Sequence, residues 1–511
     1  MLIIYNTLMN LKQLREKHPI LTYKGFKKKY LKEGLKLTFN FHLEPDVDFQ
    51  PSITIYDLKP EDLAGLDQTT LDRLFFHLGL AEIPSYWKAS CSPEIVIENN
   101  DLTQDQLAWW EDLLIKGMGE FYYVNKIDFS KKNFVKVVNK NKAQTPITKT
   151  IAKAPILPTH SIPYLVPVGG GKDSALTLGI LDGNKIDYAC LLLEPLSPAA
   201  EKIVKISNSQ KLIKVKRTID PKLLDLNKKG YLNGHTPFSA YLAFLSSAVA
   251  YIYSYQQILV ANEQSANEEN IIFHGQTVNH QYSKTFEFEN KFRDYAKKYL
   301  FSTGSNEPTQ QNSMACFHCP HFRACLKTKD LDQYPKYVSF LRPIYEIQIA
   351  KLFTKYPKYH AIFKSCNVGQ KKEIWCHQCP KCLFVFIMLS PFIDIKTLSK
   401  KIFQSNLFKN ESLLETTMDL IGKGKLKPFE CVGTHEETLC ALYLSIQKYK
   451  AENQELPYIL EQIEEKVLKN AQDLETRTEK LLNYWNYEHN LNSELEKILK
   501  RELEEAVVSP G

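Results

Sequence analysis

Tyr164-Leu-Val-Pro-Val-Gly-Gly-Gly-Lys-Asp-Ser-Ala-Leu-Thr-Leu178 is the stretch from which the fold is read. A short apolar run with the character of a buried strand gives way to Gly169, Gly170 and Gly171. Lys172, Asp173 and Ser174 follow, then an apolar-periodic segment that predicts a helix. Glycines suit a turn this sharp because it visits positive φ, and because a side chain would hold the backbone away from a bound group. The first N–H groups of a helix have no intrahelical partners and carry the positive end of its dipole, so the stretch predicts an anion cradle. A Walker A loop would need Gly at Val166 and Ser or Thr at Asp173, and the dinucleotide fingerprint would need Gly at Ser174. Both are excluded.

Downstream, Asp187 to Leu193, Lys211 to Ile219 and Gln257 to Ala261 read as strands, and Ser197 to Asn208 and Phe238 to Tyr253 as helices. That alternation predicts an α/β fold with a parallel, doubly wound sheet, whose ligands lie at the carboxyl ends of the strands. Asn262, Glu263 and Gln264 should emerge at that edge. A little further on comes the run Val278-Asn-His-Gln-Tyr-Ser-Lys-Thr-Phe-Glu-Phe-Glu289, which is costly to order unless something binds it. These two loops supply the candidates Glu263, Asn279, His280, Tyr282, Lys284 and Glu287.

Upstream, residues 1–130 alternate β-like runs (Lys36 to His42, Ser52 to Tyr56) with helical ones (Leu71 to Leu80, Gln104 to Lys116), predicting an N-terminal α+β domain. Its aromatic, polar run Phe76 to Pro93 makes Ser85, Tyr86 and Lys88 second-rank candidates for substrate contact. Residues 131–160, rich in Lys, Thr and Pro, read as a linker. Residues 161–400 form the glycine-loop domain, and residues 401–511 a helical C-terminal region in which no residue proposes chemistry.

Eleven cysteines include Cys366-x9-Cys376-x2-Cys379-x2-Cys382, a spacing that suits a tetrahedral, structural zinc. Cys316, Cys319 and Cys325, with His318 and His321 between them, leave a second metal and plain thiol packing as equal readings. Clustered thiols without a secretory signal predict a reducing, cytoplasmic setting. No apolar segment is long enough to span a bilayer. The net charge of +7, from 65 basic and 58 acidic residues, is spread along the chain, so a nucleic-acid track is not expected. Oligomeric state is left open.

The glycine stretch resembles the pyrophosphate-loop ATPase motif Ser-Gly-Gly-x-Asp-Ser, with Gly169 in place of the leading Ser. The resemblance implies ATP cleaved between its α- and β-phosphates. The cysteine spacing resembles that of the 7-cyano-7-deazaguanine synthases, ATP-dependent ligases that begin near their ATP loop and carry the motif intact. Here about 160 residues precede the loop. Leu78-Gly-Leu-Ala-Glu-Ile-Pro-Ser-Tyr-Trp-Lys-Ala-Ser-Cys-Ser-Pro93, Asn279 to Glu289, Pro167 to Ser174 and Trp375-Cys-His-Gln-Cys-Pro-Lys-Cys382 together resemble the UDP-N-acetylmuramoyl-L-alanyl-L-glutamate epimerase family, from about residue 36 to 440.

That resemblance implies inversion of the terminal L-glutamate of a UDP-muramoyl dipeptide, a peptidoglycan precursor, with release of AMP and pyrophosphate. Adenylating the carboxylate would acidify the α-hydrogen, so that a positioned base can remove it. It further implies that Gly169, Gly170, Gly171, Lys172, Asp173 and Ser174 cradle ATP, with Mg²⁺ balancing charge and Asp173 an indirect metal contact. Lys172 or Lys284 would hold oxygens, and His280, Glu263 or Glu287 would supply the acid–base pair. A zinc-stabilised, tRNA-modifying protein is the third reading; it requires a reactive cysteine, whereas the clustered thiols read as metal-bound.

Overall fold

The computed structural model describes residues 10–140, 162–195, 197–302, 334–369 and 372–508. Cys316, Cys319 and Cys325 lie outside the described residues.

The chain opens with a long hairpin, β1 (Ile20–Leu31) and β2 (Gly34–Leu43). In β2 every second residue, Leu35, Leu37, Phe39, Phe41 and Leu43, is buried, the period of a strand with one covered face. β3 (Val47–Phe49) and β4 (Ser52–Tyr56) pair antiparallel with β2, while β5 (Glu94–Ile97) and β6 (Lys136–Asn139) continue parallel beyond β1. The expected linker therefore needs correction: its residues 136–139 form the outermost strand of a sheet. Helix Gln68–Leu80 lies on this sheet, and Gly79 allows the approach, since a Cβ there would stand 1.9 Å from the Tyr23 hydroxyl.

β7 (Tyr164–Pro167), β8 (Tyr188–Glu194), β9 (Lys211–Thr218) and β10 (Gln257–Glu263) follow. β11 (Ile271–Phe273) and β12 (Gln276–Val278) make a separate hairpin before β13 (Lys336–Leu341). The five larger strands run parallel in the order β13-β10-β7-β8-β9. β4 pairs antiparallel with β9, so the N-terminal strands and the parallel set form one mixed, eleven-stranded sheet. The N-terminal region thus shares its sheet with the glycine-loop region.

Successive residues of the parallel strands enter opposite cores. Leu165, Leu191 and Ile258 pack with helices Phe238–Ile252 and Phe286–Tyr295. Val166, Leu192 and Leu259 pack with helices Lys172–Gly183, Pro380–Leu389 and His435–Ala451. A sheet covered on both faces explains why these strands read as continuous apolar runs. The C-terminal region is helical, with Tyr458–Lys466, Leu474–Leu482 and Ser493–Val508 as separate pieces, and Tyr164 on β7 donates to Glu494 at 3.1 Å. Among the described residues no helix is long and apolar enough to cross a membrane.

One ion pair joins β9 to the N-terminal helices. Arg217 grips the wholly buried Glu82 with Nε to Oε1 at 2.7 Å and Nη2 to Oε2 at 2.5 Å, and its Nη2 also donates to Ser85 Oγ at 2.9 Å. Arg217→Ala leaves a buried carboxylate without its cation, a loss worth about 3–5 kcal/mol. The urea midpoint should fall accordingly, and Arg217→Lys, which cannot reproduce the fork, should recover only part of it.

Candidate functional site

The parallel strand order turns the chain outward in both directions from β7: β8 and β9 lie on one side, β10 and β13 on the other. The carboxyl ends of β7 and β10 therefore flank a topological switch point, where open α/β sheets bind their ligands. The glycine loop leaves β7 at this point. Gly170 has φ +88°, and a Cβ on it would stand 2.9 Å from Ala200 N and 3.1 Å from Ser197 Oγ. A Cβ on Gly169 would meet nothing within 4 Å. Gly171 caps helix Lys172–Gly183 without a side-chain bond, and Ser174 Oγ turns back to Gly171 O at 3.1 Å, so the first N–H groups of the helix are left to a ligand. Beside Gly170, the buried Ser197 Oγ has no hydrogen-bond partner among the described residues.

Lys172, expected to hold ligand oxygens, is buried, and its ammonium donates to Asp173 and Glu346. Burial alone would depress Lys172, but the two carboxylates hold it above its ordinary value. Burial likewise pushes Asp173 up, but Lys172, Lys381 and Lys284 outweigh it and hold the carboxyl low. Burial and Asp173 push Glu346 up to about 7. Burial also raises Glu263, opposed by Lys284 and reinforced by Asp173. Three carboxylates thus crowd one edge of the cradle.

Arg342 brings the two expected loops together. Wholly buried at the end of β13, it donates through Nη1 to Glu263 O at 2.5 Å and through Nη2 to Lys284 O. Within the polar run, Asn279 is structural: its Nδ2 donates to Ala266 O at 3.0 Å and its Oδ1 accepts from Gln281 N at 2.7 Å. Tyr282 is buried and donates to Asp112 at 3.3 Å. Glu287 pairs with Lys116 and Lys291 on an outer face, outside the Lys284 cluster. In the N-terminal region Tyr86 is core, stacked on Phe41 and accepting from Asp220 N at 3.0 Å, and Ser85 is held by Arg217. Lys88 donates to Gly234 O at 2.9 Å and lies near His235; burial and then Arg217 bring it down to about 8.

Between Lys88 and Lys284 lies a group that the sequence reading did not assemble. His280 Nδ1 stands 2.5 Å from Glu120 Oε2, an oxygen also 3.4 Å from His235 Nδ1. On its other side His280 Nε2 faces Cys431 Sγ at 3.9 Å, and Lys381 donates to Cys431 O. Burial would raise the Cys431 thiol, but Lys284, His280 and Lys381 draw it down to about 5. Burial would lower His280, but Cys431 and Glu120 raise it to about 9. Both shifts favour a thiolate facing an imidazolium. Cys431 has no metal-like spacing, and Glu120 and Glu346 sit in runs dominated by apolar residues, so no local pattern marks them, while Lys381 lies inside the cysteine motif, which is read for its thiols.

The four expected cysteines do converge. Their Sγ atoms all lie within 4.8 Å of one another, with Cys376 and Cys382 at 3.7 Å and Cys366 and Cys379 at 4.0 Å. Four ligands about 2.3 Å from one zinc stand at nearly these separations. Gly369 N donates to Cys366 Sγ at 3.0 Å, and Cys379 N and Cys382 N donate to Cys376 Sγ and Cys379 Sγ at 3.3 and 3.4 Å. The segment also braces the glycine loop, through Lys364 N to Gly170 O at 3.0 Å.

Comparison with known proteins agrees in extent with this architecture. Residues 13–305 match the model of the MurL N-terminal domain, and residues 362–478 that of the MurL C-terminal domain. A protein of Xanthomonas oryzae pv. oryzae named UDP-N-acetyl-alpha-D-muramoyl-L-alanyl-L-glutamate epimerase is 29% identical over 393 residues, 75% of this chain and 76% of its own. A Micromonospora protein of that name is 29% identical over 392 residues, 73% of this chain and 75% of its own. One from Salinispora tropica is 31% identical over 284 residues, 55% of each chain. No solved structure matches. Since the N-terminal match alone spans more than half of its residues, this chain belongs to the MurL family.

Proposed function

We propose that this protein inverts the terminal L-glutamate of UDP-N-acetylmuramoyl-L-alanyl-L-glutamate to D-glutamate, consuming ATP as a second substrate and releasing AMP and pyrophosphate, in cytoplasmic synthesis of peptidoglycan precursors. The relatives' shared name supports the substrate and the outcome. The observation that supports the ATP step is the glycine loop at the β7/β10 switch point, whose sequence resembles the pyrophosphate-loop motif.

A free carboxylate stabilises a neighbouring carbanion poorly. Once the glutamate α-carboxylate has attacked the α-phosphorus of ATP, its carbonyl bears a good electron-withdrawing group, and the α-proton comes within reach of a protein base. Water then cleaves the acyl adenylate, restoring the acid and freeing AMP. In this scheme the N–H groups from Gly170 to Ser174 and the Ser197 hydroxyl hold phosphate oxygens, while Lys284 steadies the substrate carboxylate. Asp173, Glu263 and Glu346 are the oxygens that would hold Mg²⁺, directly or through water. Their mutual crowding is what a divalent cation relieves. When bound, the ion neutralises developing phosphate charge. Lys88, near His235, is the N-terminal residue assigned to the nucleotide sugar in this scheme.

With Mg-ATP and the dipeptide substrate in D₂O, AMP should appear only in the presence of substrate, and the D-glutamate formed should carry deuterium at its α-carbon. AMP without deuterium, or no AMP, contradicts the proposal. Zinc at the four cysteines has a structural role here. Purified protein should retain about one zinc per chain by elemental analysis. Cys379→Ser with Cys382→Ser should lose it and lower the thermal midpoint, because metal binding contributes folding free energy.

A further inference from the structure

The adenylation chemistry places strict demands on the base. The α-carbon is bonded to the carbonyl that is activated at the glycine loop, so the proton-accepting atom must stand close to the cradle and carry a free lone pair. Lys381 donates to Cys431 O, Gln281 Nε2 donates to Val432 O at 3.1 Å, and a Cβ on Gly433 would stand 3.3 Å from Cβ of Glu346, the partner of Lys172 in the loop, so the segment that carries the thiol lies at the cradle edge. His280, expected as a base, is unsuited to the task. Its two ring nitrogens face Glu120 Oε2 at 2.5 Å and Cys431 Sγ at 3.9 Å, so as the donor to both it has no lone pair to offer. Lys284 is an ammonium among acceptors. Glu430 also adjoins the thiol, but its Oε2 accepts from Asn367. A metal shared by Glu120, His235 and His280 fits less well than a hydrogen bond. Ligand atoms on one ion stand about 3 Å apart, farther than the observed 2.5 Å.

We propose that Cys431, as a thiolate, is the catalytic base that removes the glutamate α-proton, and that His280 and Glu120 are positioning residues that hold it ready. The inference rests on the adenylation reading above. In the step, the Cα–H bond breaks and an S–H bond forms. The electron pair passes into the activated carbonyl as an enolate. A proton from water adds to the opposite face of the planar carbon, and the Cys431 thiol returns its proton to water, so no oxidant or reductant is needed.

The test separates adenylation from proton removal. Wild type, Cys431→Ser and His280→Gln are compared in two assays: pyrophosphate–ATP isotope exchange with the dipeptide substrate, and α-deuterium incorporation in D₂O. Cys431→Ser should lose at least about 100-fold in deuterium incorporation while pyrophosphate exchange falls by less than tenfold. His280→Gln should slow iodoacetamide alkylation of Cys431 at pH 6.5, which a merely structural role would not do. In unmutated protein, carboxymethylation of Cys431, mapped by mass spectrometry, should abolish deuterium incorporation, and saturating substrate should protect against it. Deuterium incorporation retained in Cys431→Ser or in carboxymethylated protein overturns the inference alone, as does an equal fall of both activities. Absence of pyrophosphate exchange in the wild type overturns the adenylation reading, and this inference with it.

Discussion

Two neighbouring parallel strands that lead the chain away in opposite directions leave a gap at their carboxyl ends that neither connection can fill. β7 and β10 are that pair, and the candidate site is arranged around their ends. The glycine loop leaves β7, Glu263 ends β10, and Arg342 at the end of β13 fastens Glu263 to Lys284. The cysteine segment backs the glycine loop from the other side through Lys364. A cradle built on rigid strand ends can hold a reacting group in place without reorganising during the reaction.

The cost of this arrangement is concentrated charge. Lys172, Glu346, Glu263 and Arg342 are almost entirely withdrawn from water. Buried pairs contribute little net stability, because desolvation offsets most of their attraction. Their value here lies in fixing positions and setting protonation states. The same cations that hold Asp173 ionised also draw Cys431 down, so the cradle and the thiol are tuned by one set of lysines.

Much of the parallel sheet was legible in the sequence, because strands covered on both faces leave unbroken apolar runs such as Leu191 to Leu193 and Ile258 to Val260. The cysteine cluster was legible because its thiols lie close together in the chain. β6 was not: four residues at a sheet edge, between polar stretches, carry little periodicity, and the region read as a linker. The join of β4 to β9 was equally silent, since pairing between strands some 160 residues apart leaves no local mark. At the site, loop polarity singled out Glu263, His280 and Lys284, of which Arg342 ties the first to the last. It also drew in Asn279, Tyr282 and Glu287, whose polar atoms serve the protein's own folding. Cys431 and Glu120 stand about 310 residues apart and meet only through His280. Chemistry assembled from single residues on distant segments appears only once the chain is folded.

On the proposed route the glutamate carboxylate itself attacks ATP at the α-phosphorus. The most direct measurement uses substrate labelled with ¹⁸O in the terminal glutamate α-carboxylate, followed by mass spectrometry of the nucleotide after a single turnover in unlabelled water. The account predicts one ¹⁸O in the phosphate of AMP and none in pyrophosphate. Label in inorganic phosphate with formation of ADP, or AMP free of ¹⁸O, would contradict it.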